Sequence, residues 1–129
     1  MSIDPGIGEK LMIGIILVTI VSVEAIGIML LEMFGTDRQQ ANAFELDESF
    51  VKMAEVKTLL ANQGLYNGLF GLLIIGTLLL LNGSPQTLML ELEMLFVFLA
   101  AVYGSLTAAK KIIVIQGLPA FIALIFLIF

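Results

Sequence analysis

"LLANQGLYNGLFGLLIIGTLLLL", residues 59 to 81, combines two properties that seldom occur in one segment. Its second half is almost entirely apolar, whereas Asn62, Gln63, Tyr66 and Asn67 lie close together in its first half. A helix of about 20 predominantly apolar residues is long enough to cross the hydrocarbon core of a bilayer. The segment therefore predicts a membrane-spanning helix whose first turns carry hydrogen-bonding side chains.

The composition of the whole chain agrees with this interpretation. Its 129 residues are 60% hydrophobic and 13% charged, and the mean hydropathy is +1.09. A soluble domain of this length buries only part of its surface, so it could not hide this much apolar area. We therefore predict an all-α integral membrane protein surrounded by membrane lipids. Because the net charge is −5 and no basic patch is present, we expect no binding to nucleic acid.

Two missing residue types restrict the chemistry that the protein can perform. The sequence contains no Cys, which excludes a disulfide, a thiolate nucleophile and a Cys-ligated metal site. It also contains no His, the commonest proton shuttle and metal ligand. Since no nucleotide or metal motif is present either, we predict neither a cofactor nor a metal site.

Four apolar segments predict four membrane-spanning helices. They cover approximately residues 11–34, 58–81, 86–109 and 112–129. Short turns between neighbouring helices favour an antiparallel four-helix bundle. We expect one transmembrane domain over residues 1–129, with no second domain.

The hydrophilic stretch between the first two segments has features of a helix. Asp47 is a suitable N-cap, and Glu48 precedes Lys52 by four residues, the favourable order for an ion pair on a helix. Apolar residues also recur at roughly helical spacing, at Phe50, Val51, Ala54 and Leu59. We predict that the second helix begins near Glu48 as an amphipathic extension before it enters the lipid. A mobile loop is the alternative.

The positions of the cations predict the orientation. Five of the six Lys and Arg residues lie in the connections between the first and second and between the third and fourth segments: Arg38, Lys52, Lys57, Lys110 and Lys111. Connections rich in Lys and Arg remain in the cytoplasm. We therefore expect a multi-pass protein of the plasma membrane with both termini outside.

Glu24 is the most informative residue of the first segment. It lies ten positions before Phe34, about 15 Å along a helix, and therefore deep in the bilayer. No Lys or Arg lies at its level, so it must be protonated, hydrogen-bonded to amides or Tyr, or in contact with water or a cation. An ionisable residue inside the membrane is a functional-site hypothesis by default.

Counting along the other helices places further polar residues in the layer around Glu24. They are Gln63, Tyr66, Asn67, Tyr103 and Gln116. Because an unpaired amide in hydrocarbon costs several kcal/mol, these side chains should face the bundle interior and one another. We predict that they form a ligand or ion pocket with Glu24, with Asn67 at the level of Glu24. The alternative is that they only hold the helices together.

Small residues on the second helix predict close helix packing. Gly64 and Gly68 form a Gly-x-x-x-Gly pattern, which lets helix backbones approach. Four short helices leave little room for a transport pathway in one chain, so we expect a homo-oligomer. A dimer packed through Gly64 and Gly68 is one form that it could take.

Four more side chains receive structural interpretations. Asn62, nearest the interface, is expected to hold helices together, and Glu32 to reach the lipid headgroups or pair with Lys110 or Lys111. Pro119 is expected to kink the fourth helix or free a backbone carbonyl beside the pocket. Glu93 is early in the third helix and is expected to complement the helix dipole.

Motifs in all four segments resemble one family. "VEAIGIMLLEMF" (23–34), "LLANQGLYNG" (59–68), "VYGSLT" (102–107) and "IQGLPA" (115–120) resemble the small bacterial integral membrane proteins classified as domain of unknown function 1304. The resemblance implies a compact four-helix membrane protein and supplies no established activity. The family pattern carries over to Glu24, Glu32, Asn62, Gln63, Gly64, Tyr66, Asn67, Tyr103, Gly104, Gln116, Gly117 and Pro119. One departure is Ala25, where family members commonly have His.

We expect a pocket in the inner half of the bilayer that binds a small molecule or ion and couples this to proton transport. Glu24 is then the protonatable centre, with amide ligands and the two Tyr hydroxyls around it. One alternative is an intramembrane enzyme that uses Glu24 as an acid or base on a lipid-like substrate. The other is a structural or partner-binding subunit without its own activity.

Overall fold

The computed structural model describes residues 4–129, and this part of the chain is helical without a strand. The helices are α1 (Pro5–Phe34), α2 (Asp37–Phe44), α3 (Glu48–Val51), α4 (Ala54–Leu80), α5 (Gly83–Thr107) and α6 (Leu118–Ile128), with a π-helical turn at Ile113–Gly117. Three of them, α1, α4 and α5, are long and apolar enough to cross a membrane. The all-α prediction is confirmed. The first three residues of the predicted domain lie outside the described residues, and its being a single domain stays a prediction.

Helix α1 begins earlier than the apolar run suggested. Pro5 occupies the first turn, and the Asp4 side chain accepts a hydrogen bond from the Gly6 N–H at 3.0 Å. An N-cap carboxylate followed by Pro is a strong start signal for a helix. With 30 residues, α1 is about 45 Å long at the usual rise, well above the thickness of a bilayer core.

The predicted amphipathic extension of the second long helix is wrong. The hydrophilic stretch forms two separate short helices, and the chain is extended at Met53 before α4 begins at Ala54. Helix α2 starts with a capping box in which Thr36 and Gln39 satisfy each other's backbone N–H groups. It ends at Glu45, whose φ of 56° is left-handed and stops the helix. A helix does begin at Glu48 with Asp47 as its N-cap, as expected, but it ends at Val51 and does not continue into α4.

Helix α2 packs against the end of α1 through one buried side chain, Gln40. Its Nε2 donates to the carbonyl oxygens of Leu31 and Glu32, both at 3.0 Å, and so satisfies backbone groups that the end of α1 leaves free. Its Oε1 accepts from Lys57 Nζ at 2.7 Å, and Lys57 also pairs with Asp37. A small apolar cluster holds α2, α3 and α4 together, with the members Ala41, Val51, Val56, Leu60 and Phe44.

Helices α1 and α4 pack closely along a stripe of small residues. A Cβ added at Gly64 would lie 2.9 Å from the Cβ of Glu32, and one at Gly71 would lie 2.9 Å from the Ser22 carbonyl oxygen. The Ser22 hydroxyl donates to the Gly71 carbonyl at 2.9 Å across the same contact. Gly68 packs against α1 between these two points. The stripe is used within one chain, so the suggested dimer interface over Gly64 and Gly68 is wrong.

The half of the structure near the turn between α4 and α5 has a dense core, which we call the turn-end core. Helix α6 lies against both α1 and α5 there. Small residues on α6 allow this approach, because they bring its backbone close to the neighbouring helices. The buried members of the turn-end core are Val18, Val21, Ile74, Leu90, Met94, Ala120, Ala123 and Leu127.

Helices α4 and α5 are joined by a tight turn but pack little against each other elsewhere. Gly83 adopts a φ of +63°, a conformation that a residue with a Cβ rarely takes. Gln86 Nε2 donates to the carbonyls of Leu78 and Leu81, at 3.1 and 2.8 Å, and so closes the end of α4. The two helices are therefore tied at the turn and separate away from it.

The fourth apolar segment is shorter than the other three. Residues Ile113–Ile128 form one apolar helical stretch that includes the π-helical turn. Leu118 N–H donates to the Ile113 carbonyl, five residues back, immediately before Pro119. Pro119 lies in the first turn of α6, directly after this wide turn, where its missing N–H is tolerated. The predicted kink at Pro119 stays a prediction.

Candidate binding cavity

A cavity of about 540 Å³ lies between α1, α4, α5 and the π-helical turn. We call the end of the molecule that carries Arg38, Lys52, Lys57, Lys110 and Lys111 the basic end, and the cavity extends from the turn-end core towards it. The structure brings all six predicted pocket residues to the wall of this one cavity: Glu24, Gln63, Tyr66, Asn67, Tyr103 and Gln116. That the cavity binds a ligand stays a prediction.

Helical spacing explains why α1 presents two carboxyl groups to this cavity. Glu24, Ile28 and Glu32 are four residues apart and therefore lie on one face of the helix. On α4 the lining residues Gln63 and Asn67 have the same spacing. Each long helix thus turns one polar face inwards, as membrane helices with polar residues must.

Glu32 lies in a different environment from the one predicted. Its side chain is 1% exposed, and Asn67 Nδ2 donates to its Oε1 at 2.6 Å. Its Oε2 is buried without a hydrogen-bond partner among residues 4–129. The predicted contact with Lys110, Lys111 or headgroups is wrong, because α2 covers the end of α1. Lys111 Nζ instead donates to the Asn42 carbonyl at 2.8 Å.

Glu24 is half-buried on the cavity wall, and its Oε2 also has no hydrogen-bond partner within the described chain. The predicted level of Asn67 was wrong, since Asn67 lies beside Glu32, eight residues further along α1 and about 12 Å away at the usual rise. The level of α4 relative to α1 is set by close contacts of Gly68 with Met29 and of Gly71 with Ser22, which a count from the helix ends does not include.

Aromatic residues of α4 and α5 form the rim of the cavity. Tyr66 and Tyr103 line it but are 77% and 70% exposed. The rings of Phe70 and Phe96, also in the wall, stack with centroids 4.7 Å apart. Because α4 and α5 pack little against each other here, the cavity opens sideways between these two helices.

The remaining predicted residues have more peripheral positions. Gln63 lines the cavity from an exposed position on α4, and Gln116 is half-buried in the π-helical turn. Asn62 is exposed and does not line the cavity. Gly117 lets this turn approach α5, since an added Cβ would lie 3.1 Å from the Cβ of Ala101.

A second buried polar contact, in the turn-end core, was missed. Glu93 is 3% exposed, its Oε1 accepts from the Thr77 hydroxyl at 2.8 Å, and its Oε2 is unpartnered in the described part of the chain. The dipole interpretation of Glu93 is wrong, because it lies ten residues after the start of α5 and that effect is confined to the first turn. The isolated hydroxyl of Thr77 in a Leu- and Ile-rich run was the available signal.

The chain was compared with protein families, with curated proteins and with solved structures. The profile of a family described as "Protein of unknown function (DUF1304)" matches residues 19–128, which include the whole cavity wall. "Uncharacterized protein YpaA" of Lactococcus lactis subsp. lactis (strain IL1403) is 40% identical over 112 residues, or 86% of this chain and 92% of YpaA. No solved structure matches. The resemblance found in the sequence motifs is confirmed.

Proposed function

The chain belongs to the DUF1304 family, and we propose that it is an integral membrane protein whose cavity binds a small molecule or ion next to Glu24. The observation that carries this proposal is that Glu24 and Glu32 line the same cavity and that each has a buried carboxyl oxygen without a hydrogen-bond partner among residues 4–129. Leaving a buried acceptor without a hydrogen bond costs about 1–3 kcal/mol. A ligand in the cavity offsets this cost at both positions.

The proposed architecture is an antiparallel four-helix bundle. Contacts of Ser22 with Gly71 and of Glu32 with Gly64 support opposite directions for α1 and α4, because the chain numbers rise on one helix as they fall on the other. Residues Ile113–Ile128 form the fourth crossing, although 16 helical residues extend only about 24 Å. Local thinning of the bilayer accommodates a hydrophobic segment that is short for the core.

The basic end is proposed to face the cytoplasm of a plasma membrane, with both termini outside. The hydrogen bond from Lys111 to Asn42 supports this orientation, because it joins the two connections that carry most of the cations. Loops rich in Lys and Arg are retained on the cytoplasmic side. The cavity then lies in the cytoplasmic half of the bilayer.

Glu24 is the proposed site of proton exchange. A protonated Glu24 is neutral and tolerated inside the membrane, and a ligand that supplies a positive charge or hydrogen-bond donor takes the place of this proton. Gln63 and Gln116 supply further donors and acceptors from the wall. Asn67 is already bonded to Glu32, so it positions that carboxylate.

The exchange of a proton for a ligand at Glu24 is proposed to drive coupled transport by a homo-oligomer. The turn-end core closes one end of the cavity, so transport requires the helices to separate there as well. Four helices in one chain leave little room for such a pathway, and a second copy supplies the missing wall.

Labelling with N,N′-dicyclohexylcarbodiimide in liposomes tests the site. This apolar reagent adds to a protonated carboxyl group, whose proton moves to a nitrogen of the reagent while its oxygen bonds to the central carbon. Peptide mass spectrometry should find the modification at Glu24 and lose it from that peptide in Glu24→Gln. Glu9 is an exposed carboxylate at the other end of α1 and serves as the comparison. Modification of Glu9 with none at Glu24 would contradict the proposal.

Two further assays separate the alternatives. An enzyme would convert a component of a total lipid extract, detected by mass spectrometry, and Glu24→Gln would lose this turnover. A purely structural subunit would show no labelling of Glu24, no turnover and no effect of Glu24→Gln. Labelling of Glu24 without lipid turnover is the result expected from the proposed binding site.

A further inference from the structure

We propose that the ligand of this cavity is an amphiphile with a primary or secondary ammonium head, no phosphate and an apolar tail, which enters from the bilayer between α4 and α5. This inference rests on the proposed function and adds the chemical class and the route of the ligand. Three sets of observations on residues 4–129 carry it: two carboxyl groups with unpartnered oxygens in a wall without Lys or Arg, the spacing of these carboxyl groups, and the open side of the cavity.

Two carboxyl oxygens of residues in the wall of the cavity have no hydrogen-bond partner in the described part of the chain. Glu32 is almost completely buried, and only one of its oxygens is bonded, by Asn67. Glu24 adds a second buried oxygen without a partner among the described residues. Neither Lys nor Arg is among the described residues that line the cavity. An ammonium group supplies up to three donors and the missing charge, and such charge-assisted hydrogen bonds are the stronger ones.

The spacing of the carboxyl groups favours an organic cation over a metal ion. Glu24 and Glu32 are eight residues apart on one helix, which separates their backbones by about 12 Å. A Ca²⁺ or Mg²⁺ ion needs several oxygen ligands within about 2–2.6 Å. Within residues 4–129, no group of three or more acidic side chains is arranged to hold a metal. An amphiphile with a single head needs only one carboxyl group, and its ammonium head is proposed to lie at Glu24.

The aromatic rim suits a positively charged head as well. Tyr66, Phe70, Phe96 and Tyr103 all belong to the cavity wall. The face of an aromatic ring attracts an ammonium group through the quadrupole of the ring. A phosphate group would instead lie near two carboxyl groups without a cation to balance it, so the proposed head carries none.

The open side of the cavity accommodates the tail. The volume of about 540 Å³ is that of a small-molecule site, and between the aromatic rim residues the wall is apolar, at Val97 and Ala100. The gap between α4 and α5 leads to faces that carry the exposed Phe96 and Leu99. In the proposed membrane these faces contact lipid, so a tail can extend through the gap into the bilayer.

The chain contains its own reporter for this cavity. It has two Tyr and no Trp, and both Tyr line the cavity at its rim. Tyr emission from protein in phosphatidylcholine liposomes is titrated with decylamine, with decanol, which has the same tail and a neutral head, and with methylamine, which has the head alone. Decylamine should change the emission with an affinity at least tenfold above that of decanol or methylamine. It should also leave Glu24 unmodified by the carbodiimide, with neither the reagent adduct nor the amide that an activated carboxyl group forms with an amine as the urea leaves.

Variants test the role of the carboxyl groups in this binding. Glu24→Gln should weaken decylamine binding at least tenfold, and Glu32→Gln should weaken it less, because Glu32 lies eight residues, or about 12 Å, further along α1. Glu9→Gln is the matched control at an exposed position of α1 and should bind as the wild type does. Equal protection by decanol and decylamine would overturn the ammonium head. Labelling of Glu24 with no response to decylamine would overturn it too, while the proposed binding site would stand.

A reversible cross-link tests the sideways route. Because the natural chain has no Cys, the pair Phe70→Cys and Phe96→Cys introduces the only thiols, at positions whose rings stack in the native protein. A thiol-specific cross-linker with a cleavable spacer should join α4 to α5 and slow decylamine binding at least tenfold, and cleavage of the spacer in the same sample should restore it. Phe96→Cys alone cannot be joined to α4, so its binding rate should not depend on the cross-linker. Equal rates before and after cross-linking of the pair would overturn entry between α4 and α5.

The same carbodiimide assay tests whether the ammonium head belongs to a phosphate-free amine or to a membrane lipid. Phosphatidylethanolamine carries an ammonium group beside a phosphate, whereas the head of phosphatidylcholine has no N–H donor. If the proposal holds, liposomes with phosphatidylethanolamine leave Glu24 as reactive as those with phosphatidylcholine alone. Protection of Glu24 by phosphatidylethanolamine in the absence of decylamine would overturn the phosphate-free head and identify a lipid as the occupant.

Discussion

In the turn-end core Ile74 and Met94 are fully buried, whereas at the rim of the cavity Tyr66 and Tyr103 are largely exposed, although both regions are built from α4 and α5. The difference lies in what separates the two helices. In the turn-end core, α6 and α1 fill the space with interlocking apolar side chains. Around the cavity, the π-helical turn replaces regular helix, and the rings of Phe70 and Phe96 stack between α4 and α5.

The buried carboxyl groups of the two regions differ in the same way. Glu93 is enclosed by the turn-end core and bonded to Thr77, whereas Glu24 borders open volume. Both are acidic residues inside an apolar helix, so hydropathy alone does not distinguish them. A carboxyl group enclosed by packed side chains therefore indicates a structural contact, whereas one that borders open volume indicates a candidate site.

The largest expected effect on stability is in the turn-end core. Ile74→Ala should lower the free energy of unfolding by about 2–5 kcal/mol, because it removes packed atoms and leaves a cavity. Leu72→Ala is the control, since Leu72 is exposed two residues earlier on the same helix. The free energy is measured by titrating the protein with SDS in mixed micelles. Equal losses for the two variants would show that the region is not a tightly packed core.

The next largest loss of stability is expected in the stripe of small residues between α1 and α4. Gly71→Ala should destabilise by about 1–3 kcal/mol, because the new methyl group meets a backbone oxygen of α1 that cannot rotate away. Gly76→Ala is the matched control five residues later, where an added Cβ has nothing within 4 Å. It should be neutral or gain the better helix propensity of Ala. If both substitutions change the free energy of unfolding equally in the same titration, the stripe does not serve to bring α1 and α4 close together.

The sequence predicted the residues of the cavity wall better than their depth. Polar side chains in an apolar helix must face inwards, so Glu24, Gln63 and Gln116 could be assigned to one interior without a structure. Their levels depend on where each helix begins and on close contacts such as that of Gly71 with α1. Apolar periodicity contains neither piece of information, and the level of Asn67 was misjudged as a result.

The basic end was predicted least well, because its structure depends on local capping. The capping box at Thr36 and the left-handed Glu45 create a helix too short and too polar for a hydropathy pattern to show. Once α2 exists, Gln40 covers the end of α1 and Glu32 loses access to the headgroups. A misjudged connection therefore changed the environment of a residue in the cavity.

A smaller loss of stability is expected when the hydrogen bond between Thr77 and Glu93 is removed. Thr77→Val keeps the shape of the side chain but removes the hydroxyl that donates to Glu93, which should cost about 1 kcal/mol. Thr87→Val is the control, since the Thr87 hydroxyl bonds only to a nearby backbone carbonyl at an exposed site. The SDS titration compares the two variants with the wild type. A neutral Thr77→Val would mean that the hydrogen bond gives no net stability.

The smallest effect on stability should come from the residue most important for the proposed binding. Glu24→Gln removes a carboxyl group whose buried oxygen has no partner in the described chain, so no hydrogen bond through that oxygen is lost on substitution. The free energy of unfolding should therefore change by less than about 0.5 kcal/mol, within the range of substitutions that remove no specific feature. The same SDS titration measures it, with Glu9→Gln as the exposed control. A loss near that of Thr77→Val would mean that Glu24 holds helices together. The cavity would then resemble the turn-end core in its energetics, and the contrast between the two regions would fail.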